Sequence, residues 1–530
     1  MKAFLILFTL LSLLGCTKEH SDRNILSENN DSLSHPDNNT STDSNTSTEN
    51  NTSSVQRDPL FSSQWYLENT GQSVGSAAGA VSGEDIHIKD VWSKYQGKGI
   101  KIAIVDTGIE SQHPDLQNVD QNLSYRYSDN THTSNLTHEQ MKTSSDNAHG
   151  TACAGIIGAQ INSIGIQGIA PEATLVGLNV FSNPTDTTFQ EALAYPNVDI
   201  SSNSWGNSGY ELFDDSYSVA GIEEGLKKGR DGKGIIYIFA AANLSTNANT
   251  FTPSNHLGVI TVAATDADGK QASYSNHGSN ILLSAPGGEY GQNKVAIVTT
   301  DLTGKGIGMD EGIVDSFYKG DGNYTAVMNG TSAATPMVAA VTALMLEANP
   351  NLTYRDVSYI LARTARINDP SDSSWHQNGA GYMISEKYGF GMLDANQSVN
   401  MAETFTGLQK QKSTKKYENN TSLSIPDNDF SGISESISVF EDIKVEHVDV
   451  WVDIVHPNIR DLEITLTSPS GTTSTLAYNG ETSGTYANWR FGIVQMLDEK
   501  SSGEWKLTVI DKVGTNNGIL KKFSLKIYGR

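Results

Sequence analysis

Ile104-Val105-Asp106-Thr107-Gly108 closes an apolar run that begins at Ile100 and reads as a buried strand carrying a carboxylate at its end. Open parallel sheets present functional groups at the carboxyl ends of their strands. Outward from this stretch, apolar runs alternate with helical patterns. The pattern predicts a helix over 149–158, a strand over 174–180, a helix over 221–228, strands over 235–241 and 259–264, and a long apolar helix over 331–348. Such alternation implies an α/β domain built on a mostly parallel sheet covered on both faces.

Two further strings stand at the starts of those helices: Asn147-Ala148-His149-Gly150-Thr151 and Asn329-Gly330-Thr331-Ser332-Ala333. A serine hydroxyl is a weak nucleophile until an imidazole takes its proton, and that imidazole needs a carboxylate to hold its tautomer. Asp106, His149 and Ser332 are the three residue types required. The helix amino end beneath Ser332 would add backbone N–H groups and a positive dipole. Singly each residue is commonplace; together, with these flanks and in this order, they point to covalent catalysis of acyl transfer.

The chain has 530 residues, enough for two domains and a linker. Its formal net charge of -24 argues against nucleic acid as a partner and implies mostly a solvated acidic surface. Lys2 and the apolar run 3–14 form a targeting segment too short to span a bilayer at the ~20 residues required. It ends in Leu13-Leu14-Gly15-Cys16, which resembles a bacterial lipobox, so residues 1–15 are expected to be a signal peptide and Cys16 a lipidated first residue. That implies an exported protein, anchored to a bacterial membrane by lipid. Residues 16–56 are almost wholly polar and are expected to be a disordered tether. The only other cysteine is Cys153, so no disulfide is expected and a bound cation is the expected staple.

The three strings, together with Ser204-Trp205-Gly206 and Ala240-Ala241-Ala242-Asn243, resemble the subtilisin superfamily, in which the order Asp, His, Ser is also found. His149-Gly150-Thr151-Ala152-Cys153-Ala154-Gly155 and Asp58-Pro59-Leu60-Phe61 are similar to its kexin/furin branch, over residues 57–404. The resemblance implies a monomeric, calcium-stabilised serine endopeptidase acting on proteins and peptides. It implies that Asn243 supplies a side-chain amide to an oxyanion hole, and that Ser204, Trp205 and Gly206 bind extended substrate as an edge strand. It also implies a Ca2+ site formed by Asp58, Asp115 and Asn162 with the carbonyls of Gln160, Ile164 and Ile166. The alternative for those residues is that Asn162 caps a turn and Asp115 begins a helix. Cys153 is read either as a reactive thiol or as a small packing residue beside His149.

Departures from the branch are equally specific. Asn207-Ser208-Gly209 and Asn249-Thr250-Phe251 stand where acids of the first subsite are expected, and Lys294-Val295-Ala296 lacks a calcium-binding glutamate. Asp146 matches one acid of the second subsite, whereas Thr107 replaces the other; Glu211, Asp214 and Asp215 are candidates to lean back toward the pocket. The expectation is a relaxed preference, basic in tendency, rather than strict dibasic cleavage. Residues 304–325 read as a Gly-rich insertion, expected as a surface loop or a border of the cleft. The polar tether cannot be a folded prosegment, and slow parallel-sheet folding then suggests a separately encoded chaperone.

Beyond a linker expected at 405–420, residues 421–530 alternate with period two over 448–454, 462–467, 474–477, 505–510 and 523–528. An antiparallel β-sandwich follows. Asp461-Leu462-Glu463-Ile464, Ser468-Pro469-Ser470-Gly471 and Ser502-Gly503-Glu504-Trp505 resemble the jelly-roll P domain of the kexin branch, whose implied role is to stabilise the protease. The alternative there is an independent binding module. For the whole chain, the rival reading is a tethered adhesin with an inert protease fold.

Overall fold

The computed structural model describes residues 57–530 apart from 76, 78, 138, 144, 291–293, 310–317 and 319. The signal peptide, Cys16 and tether expected over 1–56 lie outside the described residues. Seven strands form the central sheet: β1 (Lys101–Asp106), β2 (Tyr125–Arg126), β3 (Thr174–Asn179), β4 (Ile200–Asn203), β5 (Ile236–Ala240), β6 (Val259–Thr265) and β7 (Ile281–Pro286). Their order is β2-β3-β1-β4-β5-β6-β7, with every neighbouring pair parallel. The helices are α1 (Gln140–Thr143), α2 (His149–Gly158), α3 (Asp186–Leu193), α4 (Ser216–Lys228), α5 (Thr331–Ala348), α6 (Tyr354–Thr364) and α7 (Ala395–Thr404).

Successive residues of a strand face opposite sides, and here both sides are apolar. Ile102, Ile104, Ile236 and Ile238 join α2 and α5 in one core. Ala103, Val105, Tyr237 and Phe239 join α3 and α4 in another. Helix α5 is apolar on every face because it lies inside the domain, with only its last two residues less than fully buried. A hairpin of β8 (Ile297–Thr300) and β9 (Tyr324–Met328) and a short pair of β10 (His376–Gln377) and β11 (Met383–Ile384) complete the domain.

The carboxyl-terminal domain contains β12 (Lys412–Ser413), β13 (Tyr417–Ile425), β14 (Ile433–Val439), β15 (Val445–Val455), β16 (Leu462–Thr467), β17 (Thr473–Ala477), β18 (Tyr486–Ile493), β19 (Gly503–Asp511) and β20 (Gly518–Gly529). One sheet runs β12-β20-β15-β18 with β13 also on β20; the other runs β14-β19-β16-β17. All pairs are antiparallel, and the apolar faces enclose one core with Trp505, Phe491 and Phe523 fully buried. This corrects the linker expected at 405–420, since β12 and the start of β13 fall within it. Residues 417–424 alternate between half-buried and exposed without a strong apolar side, so their period is hidden in a polar composition.

No cystine is needed to close the loops of this domain. His456 donates from Nδ1 to the Asn458 carbonyl (2.7 Å), and its Nε2 pairs with Asp511 at 3.1 Å. Asp461 accepts from the Asn458 amide at 2.6 Å and from the Asn516 amide at 3.4 Å. Buried polar groups with every partner present hold a turn as firmly as packing does.

Both domains belong to one compact unit, and polar contacts join them. Arg355 forms a two-pronged pair with Glu446 at 2.7 and 2.8 Å. Asn249 exchanges hydrogen bonds with the Gly492 main chain, donating at 3.3 Å and accepting at 2.8 Å. The buried Asn378 amide donates to the carbonyls of Gln495 (2.9 Å) and Leu497 (3.1 Å), while its oxygen accepts from Ala380 and Tyr382. Asn378→Ala orphans these four groups. The expected cost is about 2–4 kcal/mol, measured by denaturant unfolding; an unchanged midpoint would show that this junction adds nothing to stability.

Candidate active site

Asp106 is the last residue of β1, His149 the first of α2, and Ser332 the second of α5. β1 lies mid-sheet and α2 and α5 pack against each other, so three sequence-distant positions converge at one end of the sheet. His149 Nδ1 lies 2.9 and 3.0 Å from the two Asp106 carboxylate oxygens, and both side chains are buried. Burial opposes a charge on the ring, and the Asp106 carboxylate counters it and raises His149 above the ordinary histidine range. Thr107 supports both partners. Its N–H donates to Asp106 Oδ1 (2.8 Å), its hydroxyl donates to the Asn147 carbonyl (3.0 Å), and it accepts the Gly150 N–H (3.0 Å). In sequence Thr107 stands only where an acid of the second subsite is expected; its role in locking α2 to β1 needs the fold.

Pro336 explains the surroundings of Ser332. A proline inside a helix has no N–H for the carbonyl four residues earlier, which here is that of Ser332. That carbonyl accepts instead from the Ser204 hydroxyl (2.9 Å) and the Cys153 thiol (3.6 Å). The Ser332 hydroxyl donates to the Ser204 carbonyl at 3.1 Å. Ser204 thus clasps Ser332 from both directions. Cys153 is fully buried, with Sγ 4.0 Å from His149 Nδ1, so it packs between the imidazole and α5.

Asn243 follows β5, and its Oδ1 accepts from the Thr331 N–H (2.9 Å) and hydroxyl (2.8 Å). With the oxygen so engaged, the Nδ2 group is turned toward Gly330, where a Cβ would come within 3.1 Å of it. Gly330 has φ of +115°, a conformation that only glycine adopts readily.

The expected subsite residues divide. β4 ends at Asn203, so Ser204, Trp205 and Gly206 continue it beyond the ladder rather than within an edge strand. The Trp205 side chain is a core group: it packs at tilted and edge-to-face angles among Phe189, Phe239 and Phe251 and donates to the Val105 carbonyl at 3.0 Å. Asp146 sits on the turn Ser145–Ala148 that leads into α2. Asn249 faces the carboxyl-terminal domain, not a pocket. Asp215 does not lean back either; it caps α4 by accepting the Ser218 N–H at 3.0 Å. Lys294 is surrounded by Asp266, Asp268 and Glu289, which places an ammonium among carboxylates.

The residues expected to bind calcium gather around loop 160–166. Asp58 Oδ1 accepts from the Asn162 and Ser163 N–H groups (3.1 and 2.6 Å). Asp115 Oδ2 accepts from the Ile166 N–H (3.1 Å) and the Tyr324 hydroxyl (3.0 Å), and the Asp115 carbonyl accepts the Gln160 N–H (3.0 Å). The other oxygens, Asp58 Oδ2 and Asp115 Oδ1, are buried with no hydrogen-bond partner. Burial pushes Asp58 upward and Asp115 up to about 7. Asn162 is exposed and its Oδ1 accepts the Ile164 N–H at 3.1 Å, as a turn residue does. The described part of the 304–325 segment reaches this loop, since the Tyr318 hydroxyl accepts the Gly165 N–H at 2.6 Å.

Comparison with known proteins agrees with this arrangement. A family model described as "Subtilase family" matches residues 97–391, and one described as "Proprotein convertase P-domain" matches residues 445–527. The chain is 31% identical over 540 residues to the Aeromonas extracellular serine protease of Aeromonas sobria, covering 86% of this chain and 84% of that protein. It is 32% identical over 507 residues to proprotein convertase subtilisin/kexin type 6 of Rattus norvegicus, covering 89% of this chain but spanning only half of that relative. The crystal structure of the Aeromonas sobria serine protease in complex with the chaperone ORF2 superposes with a TM-score of 0.82 at 28% identity, over 89% of this chain and 95% of that one. With the family match covering more than half its length and the Asp-His-Ser group at the sheet end, this chain belongs to the subtilase family of serine endopeptidases and carries a P domain behind its protease domain.

Proposed function

We propose that the chain hydrolyses peptide bonds of proteins through an acyl-enzyme formed on Ser332. The observation that carries this is the buried contact of His149 Nδ1 with both Asp106 oxygens, which leaves Nε2 as the nitrogen that takes a proton. Ser332 Oγ attacks the scissile carbonyl carbon while its proton passes to His149. The imidazolium is stabilised by Asp106 and then gives that proton to the leaving amine. Water, deprotonated by the same ring, attacks the acyl carbon; the carbon–Oγ bond breaks as the ring returns that proton to Ser332 Oγ, releasing the acid product. The Ser332 N–H at the α5 amino end and the Asn243 amide are the donors for the oxyanion. The main chain of Ser204, Trp205 and Gly206 binds extended substrate, with the Trp205 side chain packed behind it, and Asp146 borders the substrate. The pocket lacks the acids of dibasic-specific enzymes, so the preference is relaxed with a basic tendency. A peptide-library digest tests both parts: broad cleavage with a modest Lys/Arg bias is expected, lost in Ser332→Ala together with organophosphonate labelling. Asn243→Ala should lower kcat about 10²–10³-fold. Wild-type activity in Ser332→Ala, or strict Lys-Arg selectivity, refutes the corresponding claim.

Ca2+ fits the cradle of Asp58 and Asp115 because two buried carboxylate oxygens there have no protein partner. Asn162 and the carbonyls of Gln160, Ile164 and Ile166 are the remaining ligands offered by the loop. A hard cation supplies the positive charge that such oxygens need and staples residue 58 to the protease domain. Chelation should lower Tm by roughly 5 °C or more. Asp115→Asn should abolish the difference between calcium-loaded and chelated protein, whereas an unshifted wild-type Tm excludes the site.

The lipobox-like Leu13-Leu14-Gly15-Cys16 supports export and lipid anchoring to a bacterial membrane, and the Aeromonas relative is named as extracellular. A separate folding chaperone is supported by the relative's crystallisation with one. Both partner assignments meet simple measurements: Cys16→Ala should move the protein from membrane to soluble fractions, and unaided refolding should give low yield. Membrane-independent fractionation of the wild type, or full unaided yield, contradicts them.

A further inference from the structure

We infer that Glu481, on the P-domain loop between β17 and β18, is a positioning residue for the segment that carries Asn243. This rests on the reading of Asn243 as an oxyanion donor. Residues 242–247 leave β5 in a conformation that does not hold itself: Ala242 and Ser245 have φ of +78° and +51°, unfavourable for residues with a Cβ. A second loop, residues 274–277, supports them. The Tyr274 carbonyl accepts the Ser245 N–H (2.9 Å), and Asn276 Oδ1 accepts the N–H groups of Leu244 (2.9 Å) and Thr246 (3.1 Å). The His277 N–H donates to the Thr246 carbonyl at 3.0 Å.

Both loops end on one carboxylate from the other domain. Glu481 Oε2 accepts the Thr246 hydroxyl at 3.3 Å, and Oε1 lies 3.1 Å from His277 Nε2. The edge of Tyr478 meets the His277 ring at a centroid distance of 4.6 Å, and the Asn247 amide donates to the Leu476 carbonyl at 2.7 Å. The same P-domain loop reaches the opposite wall. The Ser483 N–H donates to the Tyr210 carbonyl (2.9 Å) and its carbonyl accepts the Leu212 N–H (3.1 Å), a few residues beyond Gly206. One P-domain loop therefore grips both the segment that carries Asn243 and the chain that follows Ser204.

Docking of the domains does not require this grip. Arg355 with Glu446, Asn378 with Gln495 and Leu497, and Asn249 with Gly492 join them elsewhere. Removing Glu481 should thus leave the domains associated while releasing the Thr246 hydroxyl and the His277 ring. A donor displaced by a fraction of an ångström loses its advantage for the transition state more than for the ground state.

The test is a double-mutant cycle on the full chain with a peptide substrate, with rates expressed per organophosphonate-labelled serine. Glu481→Ala is expected to lower kcat roughly tenfold with KM within about twofold. Glu481→Gln, which keeps an acceptor for Thr246, should recover most of the loss. In an Asn243→Ala background Glu481→Ala should cost nothing more, because its effect passes through that amide. An unchanged kcat in Glu481→Ala, or equal fold-losses in both backgrounds, overturns the inference. An unchanged kcat in Asn243→Ala alone instead overturns the oxyanion assignment. Should Glu481→Ala not fold, Thr246→Val removes the hydroxyl at similar volume and must show the same loss and the same dependence on Asn243.

Discussion

Asp106 is a carboxylate with no solvent exposure, and a buried charge persists only when its surroundings satisfy it. Here satisfaction comes from the Thr107 N–H and from His149, which cannot be supplied by β1 itself. The position of α2 is therefore bound to that of β1 by electrostatics as well as packing. Thr107 reinforces the bond, joining the Asn147 carbonyl and the Gly150 N–H through one hydroxyl. If α2 moved, the site would lose its base and the sheet would be left with an unpaired interior charge.

A missing hydrogen bond organises the nucleophile in the same way. Pro336 withdraws the donor that the Ser332 carbonyl would have had, and Ser204 and Cys153 take its place. The helix end beside Ser332 is consequently fastened to the chain that leaves β4. This gives Cys153 a structural use, as a buried weak donor to the Ser332 carbonyl.

Stapling without disulfides recurs in both domains. In the P domain a His456-Asp511-Asp461 network, fully hydrogen-bonded, holds the loops around β16 and β19. In the protease domain two carboxylates, Asp58 and Asp115, draw the loop 160–166 and the Tyr324 hydroxyl together while each keeps one oxygen without a protein partner. The first arrangement is closed by hydrogen bonds within the protein; the second is the cradle proposed above for Ca2+. Between the domains, the asparagine side chains of Asn247, Asn249, Asn255 and Asn378 bond main-chain atoms of the P domain, which adds direction to the junction.

Strand-helix alternation, the three short strings and the period-two runs after residue 440 were legible because each is local, set by side-chain direction along one element. The parallel sheet covered on both faces, the β-sandwich behind it and the Asp-His-Ser group follow from them. What was hidden depends on neighbours distant in the chain. β13 is a strand because β20 offers it partners, not because its polar residues demand one. Asn249 reads as a vacated pocket acid until Gly492 appears beside it, and Trp205 reads as a substrate residue until three phenylalanines enclose it. Asp215 reads as an acid near the pocket until α4, which begins at Ser216 rather than at the expected 221, takes it as its cap. Sequence alone thus determined which chemistry the chain carries. Tertiary structure decided which polar groups serve that chemistry and which hold domains together, because a hydrogen bond takes its meaning from the partner that folding delivers.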